Sequence, residues 1–574
     1  MADSQKATVS ITRKQSFQKR VELLRSERSS FIPLWRELSD FHLAHRGRFL
    51  VSDRNKGHKR NTKQINNTSR LAVRTLASGM MAGITSPARP WFKLGISNKA
   101  LMSDPTVKVW LLHVEKIIRE IFNQSNLYNA LHTVYQELGV FGTATMGIFE
   151  DYENVIRCKP YTVGSYFLGT DGYDRVDTWA REYELTVGQL VKRFGLKNCS
   201  KSVQKQWETG STEEWVTVVH LIEPNDDRDR MNPLAKHMKF RSVYYEKTSP
   251  NLENCFLLES GFRTFPILAP RWEVTGEDIY GVACPGMDSL GDGKGLQLAE
   301  KMKYEAIEKH VDPHLVAPTS LRNVVSKGLL PGDISFVDGN TTEGLRPVYQ
   351  VNPNLNYHNA DIEKVEDRID RAFYVDLFLM LANSDRRQIT AREIAERHEE
   401  KLLMLGPVLE RLHNELLDPL IDRTFEIGLE AGIFGKIPDV LSEQEIKIEY
   451  VSVLAQAQRI VATGNIEQVA GYIGQLSAVW PEARHKFNAT KSVEEYADAT
   501  GVSPDLIRSD DEVSELMAQE AQQIQQQQMM EKGADMAKSA KTLSETDVTN
   551  TESALNRLMG GAGYSVPQAA TGGR

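Results

Sequence analysis

The chain has 574 residues, 41% hydrophobic and 25% charged, and a formal net charge of −8. That length exceeds one ordinary domain and implies three or four substructures with real cores. The acidic balance argues against a tight duplex-DNA binder, whose affinity comes from Lys and Arg contacts to phosphate; no apolar run approaches the ~20 residues that span a bilayer, so no membrane partner is expected.

Met1 to Arg20 is polar and basic without an apolar stretch, and does not read as a secretory signal. From about Gln15 to Glu150 the pattern is helical. Phe31, Leu34, Trp35, Leu38 and Phe41 recur at helical spacing. Asp104-Pro105 supplies a cap and a first-turn proline for a helix with Val107, Trp110, Leu111, Val114, Ile117, Ile118 and Ile121 on one face. Another helix spans Leu127 to Leu138. A β-rich section follows, with strands expected at Thr143–Glu150, Val155–Pro160, Val176–Leu185, Trp215–Ile222, Phe240–Glu246 and Cys255–Glu259. Gly169 to Gly172 reads as a turn, and one short helix begins at Thr186.

From Asp288 the chain turns helical again, with Leu298, Met302 and Ala306 on one stripe, and Pro313 stops it. Val316 to Asn356 is a Gly- and Pro-rich insert with a strand near Ile334–Val337. A second helix starts near Asp361, its Ile362, Val365, Ile369 and Ala372 spaced by three and four as in helix-on-helix packing. Asn383 to Gln388 breaks the run, and Thr390-Ala391-Arg392-Glu393 forms a capping box for a long helix to about Glu430, bent at Gly406-Pro407. Gln519 to Met530 is Gln-rich within a helix expected from Glu512 to Lys538, and a disordered tail is expected over 546–574. The fold class is therefore α+β, predominantly helical.

Chemical motifs are sparse. Cys158, Cys199, Cys255 and Cys284 form no CxxC pair and read as free thiols of a reducing compartment. Gly291-Asp292-Gly293-Lys294-Gly295 hints at a phosphate loop, but Gly295 stands where a Walker A motif needs Ser or Thr, so it reads as a flexible lead-in to a helix. In His310-Val311-Asp312-Pro313-His314 the proline keeps three potential ligands off one helical face; no metal site and no cofactor are expected. Asp226 to Arg230 reads as a solvated loop rather than a nuclease site. Ser78, Gly79 and Gly83 read as a tight packing face, with a contact between subunits as the alternative.

Trp35 to Phe49 (WRELSDFHLAHRGRF), Ala77 to Leu94 (ASGMMAGITSPARPWFKL) and Tyr135 to Glu150 (YQELGVFGTATMGIFE), with the helix, insert, helix, loop, long-helix order of 288–430, resemble the head–tail connecting, or portal, proteins of short-tailed phages. The resemblance covers about Gln15 to Tyr450. It implies a portal fold assembled as a ring of about twelve subunits through one repeated heterologous interface. The layout it implies is a wing over 1–285 and 390–450, stem helices over 286–312 and 358–381, a clip over 313–357, a tunnel loop over 382–389, and a crown over 451–545, with or without a barrel helix.

The implied function is a conduit at one capsid vertex for DNA packaging and ejection, in the virion and, during assembly, in the host cytoplasm. Implied partners are further copies of the chain, the terminase large subunit, major capsid and scaffolding proteins, tail adaptor or nozzle proteins, and double-stranded DNA that passes without sequence preference. No catalytic residue is expected. A terminase would need the missing phosphate loop; another structural virion protein, such as an adaptor or scaffold, is the alternative. Asn383, Ser384, Asp385, Arg386, Arg387 and Gln388 would project into the channel, where the two arginines either touch phosphate briefly or pair with acidic groups of a neighbour such as Glu393. Arg322 and Lys327 would lie on the docking surface of the clip. A ring of such chains carries a formal charge on the order of −100, which would centre DNA rather than hold it.

Overall fold

A computed structural model describes residues 2–50, 63–96, 105–248, 256–319, 334–337, 346–347, 354–379, 405–438 and 446–450, with scattered positions between 469 and 538. The chain divides into two units, Met1–Ala462 and Thr463–Arg574. In the second, the described residues include a helical stretch at 469–477.

The first unit opens with helices α1 (Ala2–Ser29), α2 (Ile32–Phe41) and α3 (Thr68–Ile84). Strand β1 (Phe92–Ile96) follows, then α4 (Pro105–Gln124) and α5 (Leu127–Phe141). The apolar face expected on α4 is the buried one: Val107, Val114 and Ile118 are fully enclosed. Trp35 of α2 packs between Phe31 and Tyr280, at ring-centroid distances of 5.6 and 5.2 Å. The small residues of α3 pack within the subunit, as expected from the sequence: a Cβ on Gly79 would lie 2.2 Å from Phe378. Gly142 caps α5 at φ 72°, where L side chains are strained.

Strands β2 (Thr145–Asp151) and β3 (Val155–Tyr161) form a hairpin extended by β9 (Ile267–Leu268). A second sheet is an antiparallel meander of β4 (Tyr166–Thr170), β5 (Val176–Thr186), β6 (Trp215–Pro224), β7 (Phe240–Glu246) and β8 (Leu258–Phe262). Its registers run Glu182↔Val219 between β5 and β6 and Leu221↔Val243 between β6 and β7. Both faces are covered, which explains near-continuous apolar runs such as Val218-Val219 and Leu221-Ile222. On one face Phe17, Val21 and Leu24 of α1 meet Phe167, Ala180, Val219, Leu221, Val243 and Tyr245. On the other lie α6 (Val187–Phe194), with its Thr186–Gln189 capping box, and α7 (Lys201–Glu208), capped by Ser200. The expected turn at Gly169 falls two residues later, because β4 continues through Thr170 and Asp171 accepts from the Tyr173 and Arg175 backbones.

Then come α8 (Leu290–Val311), three short strands β10 (Leu315–Pro318), β11 (Ile334–Val337) and β12 (Arg346–Pro347), α9 (Leu355–Ala372), α10 (Asp418–Glu430), and β13 (Ile446–Tyr450). Strand β10 pairs in parallel with β11 and antiparallel with β12. Strand β13 returns to pair antiparallel with β1, Phe92 opposite Tyr450. The long helix is described only from Leu405, so the bend expected at Gly406-Pro407 falls at the edge of the described residues; within them it is irregular at His413–Leu417, a π segment. Pro419 has no N–H for the carbonyl four residues back, so the regular ladder cannot close there. Cys158, Cys199 and Cys284 are free and buried; Cys255 and the capping box at Thr390 lie outside the described residues.

Candidate functional site: the paired helices and their base

Helices α8 and α9 run side by side and are seated on α2 and α3. The Gly291–Gly295 stretch lies in the first turns of α8 rather than forming a flexible lead-in, because Ser289 and Leu290 already start the helix and Gly293 is pressed onto His42. A Cβ at Gly293 would lie 3.1 Å from His42 Cε1. Two ion pairs brace this base: Lys294 to Glu37 at 2.6 Å, and Arg368 of α9 to Asp292 of α8 at 2.8 Å. Both are exposed and contribute little individually.

The stronger fixture is amide-based. Gln297 Oε1 accepts from the backbone N–H groups of Ile65 and Asn66 at 2.6 and 2.8 Å, and its Nε2 donates to Asn66 O at 2.9 Å. Asn66 Nδ2 then donates to Glu300 of α8 and to Glu366 of α9, at 3.1 and 2.7 Å. Lys303 neutralises Glu300 at 2.7 Å. One short segment before α3 thereby holds both helices through a connected set of polar contacts. Ile362, Val365 and Ile369 of α9 and Leu296 of α8 belong to the same buried apolar cluster, as the spacing of three and four predicts.

α9 starts at Leu355, earlier than Asp361, because the Asn354 side chain caps it by accepting from the Tyr357 N–H. It also ends earlier than residue 381. Phe373 breaks it and Tyr374 takes φ 54°, after which Val375 begins a separate helical turn. Phe373, Leu377 and Phe378 are buried, with Phe378 on Gly79.

The far half of the pair is bare. No residue of 301–312 or of 354–361 is buried. Leu298, Met302, Tyr304 and Val311 are 53%, 56%, 56% and 75% exposed. Leu298 and Met302 of the expected stripe are thus largely exposed rather than part of the subunit's own core. His310 lies in the last turn of α8, where a cation suits the helix dipole, and Asp226 to Arg230 form an exposed turn.

His42 lies between α8 and Phe373, ring centroids 5.7 Å apart, and burial pushes its pKa down to about 4. Unfolded, it titrates near about 6.5. As pH falls from about 6.5 towards 4 the unfolded chain therefore binds the proton first, and stability present at neutral pH is lost, on the order of 3 kcal/mol per subunit. Melting temperature against pH is expected to fall across this window and to fall less steeply in His42→Gln. Equal slopes would show that His42 does not carry this linkage.

The expected channel residues Asn383, Ser384, Asp385, Arg386, Arg387 and Gln388 lie outside the described residues, as do Arg322 and Lys327. Residues 380–404 all lie outside the described residues; on either side of them Phe378 and Leu405, Val408, Leu409 and Leu412 are buried. A further fixture was not foreseen. Arg271, 3% exposed, donates to Glu415 of the π segment at 2.6 Å and to the Asp174 carbonyl at 2.8 Å, while its own N–H donates to Glu415 at 2.8 Å. The partners are separated by 144 positions, and no local pattern marks them.

Residues 14–507 match the family described as bacteriophage head to tail connecting protein. The chain is 45% identical over 553 residues to the portal protein of Salmonella phage epsilon15, covering 96% of this chain and 99% of that one. It is 44% identical over 518 residues to the probable portal protein of Bordetella phage BPP-1, covering 90% and 93%. Among solved structures, a chain of the virion of a native gene transfer agent particle is 11% identical, with a TM-score of 0.33 over 80% of this chain and 98% of that one.

Proposed function

The chain belongs to the bacteriophage head to tail connecting protein family and is a portal-type component of the virion, and from that premise we propose that about twelve copies close into a ring whose axial channel passes double-stranded DNA. The observation that carries this reading is the bare far half of the α8–α9 pair. Leu298, Met302 and Tyr304 stand more than half exposed among the described residues, and a neighbour's stem in a closed ring would cover them. In this reading α8 and α9 are the stem, the β10–β12 insert is the clip, residues 382–389 are the tunnel loop, and the second unit contributes the crown.

The subunit hydrolyses nothing in this scheme. Packaging work belongs to the terminase large subunit, which docks on the clip through a surface that includes Arg322 and Lys327 and later gives way to tail adaptor and nozzle proteins. Capsid and scaffolding proteins meet the wing. The acidic ring repels DNA from its wall, and Arg386 and Arg387 add brief phosphate contacts that resist back-slippage.

A packaging assay with reconstituted particles tests both surfaces. Arg386→Ala/Arg387→Ala rings are expected to assemble normally but to stall or leak DNA. Arg322→Glu/Lys327→Glu rings are expected to assemble but to dock terminase poorly. Full-length, stably retained genomes in the first variant would mean that the arginines serve subunit pairing instead. Unchanged docking in the second would remove those residues from the clip surface.

A further inference from the structure

We propose that Lys159, Arg181 and Arg193, which meet where the β2–β3 hairpin adjoins the α6-covered face of the meander, form a site for a phosphate oxyanion, either free or part of a nucleic-acid backbone. The strand registers build it. Arg181 of β5 lies opposite His220 of β6, which lies opposite Tyr244 of β7, so the three make one row across the sheet. Arg193, in the last turn of α6, reaches the end of that row, and its Nη2 donates to Tyr244 Oη at 3.4 Å. Lys159 of β3 approaches from the hairpin: its Nζ and the Arg181 guanidinium lie 5.7 and 5.1 Å from the same Tyr161 ring centroid.

These cations have no counter-charge. Among the described residues none of the three forms an ion pair, and the charges that act on Lys159, Tyr183 and His220 all come from within this set. His220 is buried, stacked on Tyr244 at 3.8 Å, with Nε2 2.9 Å from Ser242 Oγ; burial first, then the three cations, hold its pKa well below the usual histidine value, so it stays neutral. Lys159 reaches solvent, yet desolvation against the sheet, followed by the Arg181 and Arg193 charges, pulls its pKa down to about 8. A bound anion would relieve that repulsion. Arg193 suits the dipole at the end of α6, but Lys159 and Arg181 come from strands and have no such reason to stand together.

The surroundings select phosphate. The Arg181 guanidinium lies 3.9 Å from the Tyr183 ring centroid and that of Arg193 5.3 Å from Tyr244. Stacking fixes the guanidinium planes and leaves N–H groups at their edges to donate. The Tyr183 hydroxyl, enclosed and without a hydrogen-bond partner, is a further donor that lacks an acceptor, and Arg193 and Arg181 are the charged side chains that act on it. Three positive charges suit a phosphate dianion or a phosphate backbone over a single carboxylate. Tyr161, Tyr183 and Tyr244 are only 6%, 6% and 8% exposed. No ring face is therefore open to stack a base, and the site takes the phosphate group rather than a nucleobase.

Lys159 is its own reporter in the full-length assembled protein. Its lowered pKa makes the amine reactive near pH 8, so its rate of acylation can be followed by mass spectrometry of the peptide that carries it. The probes are inorganic phosphate, acetate and chloride at matched ionic strength, and a short DNA duplex. Phosphate at about 10 mM is expected to slow labelling of Lys159 about threefold relative to chloride, as occupancy with millimolar affinity requires, and acetate by about 1.5-fold at most. Protection should vanish in Arg193→Gln and persist in Arg193→Lys, each compared with its own rate in chloride; the exposure of Arg193 keeps both variants folded. Protection by the duplex assigns the phosphate to a nucleic-acid backbone, and protection by inorganic phosphate without protection by the duplex assigns it to the free ion. Labelling that neither phosphate nor duplex slows would overturn the proposal, as would equal protection by acetate and phosphate or undiminished protection in Arg193→Gln.

Discussion

Ile369→Asp is expected to cost about 4 kcal/mol or more, enough to prevent the helix pair from seating and the assembly from forming. Ile369 is fully buried on α9, in the cluster with Ile362, Val365, Phe373 and Leu296. The substitution removes the packing of a large aliphatic side chain and puts a carboxylate among apolar groups, where an unpaired charge is strongly disfavoured. Native stability is itself only about 5–15 kcal/mol for an ordinary domain. Ile369→Val, which keeps the shape and removes one methylene, should cost about 1 kcal/mol. Urea unfolding followed by tryptophan fluorescence measures both, and size-exclusion chromatography reads assembly. An aspartate variant within about 1 kcal/mol of the parent, still forming the parent's assembly, would show that α9 does not pack through this face.

Arg271→Met should be the second large loss, about 3 kcal/mol. The substitution strands Glu415 and the Asp174 carbonyl, and it loosens the loop after β9 from the π segment that precedes α10. Arg411 lies 3.7 Å from Glu415 and recovers part of the charge balance, which keeps the figure at the low end. Arg271→Lys should rescue little, because an ammonium cannot reproduce the fork that spans Glu415 and the carbonyls. Pairing Arg271→Met with Glu415→Leu should restore some stability by removing the stranded carboxylate. Equal urea midpoints for the Met, Lys and parent proteins would show that the buried pair contributes nothing net.

The central strands of the meander, β5 to β7, were legible in the sequence because their runs of Val, Leu, Ile and Tyr are bounded by turn residues, and Phe240–Glu246 coincides with its expected limits; its edges were not, since β4 was not expected and the strand expected at Cys255–Glu259 lies at Leu258–Phe262. β1 was not legible: Phe92–Ile96 is short and becomes a strand only because Ile446–Tyr450 returns to it from far along the chain. The same reason hid the base of the helix pair. Nothing in the local pattern around Gln297 announces that it receives the backbone of Asn66, 231 positions away. The early end of α9 also came from tertiary packing, since Phe373 and Phe378 turn inward and leave Tyr374 at φ 54°. By contrast, the apolar rows of α4 and α9, the capping box at Thr186 and the packing role of Gly79 followed from spacing and size. The channel and clip residues came from resemblance alone, because arginines in a polar loop carry no periodic signal.

The central claim is that this subunit closes into a ring around an open channel. Electron microscopy of the purified full-length assembly, viewed along its symmetry axis, tests it most directly. The account predicts closed rings of about twelve subunits with an axial hole wide enough for a DNA duplex. A protein that stays monomeric across concentration and buffer, or assembles into particles with no axial opening, would contradict it.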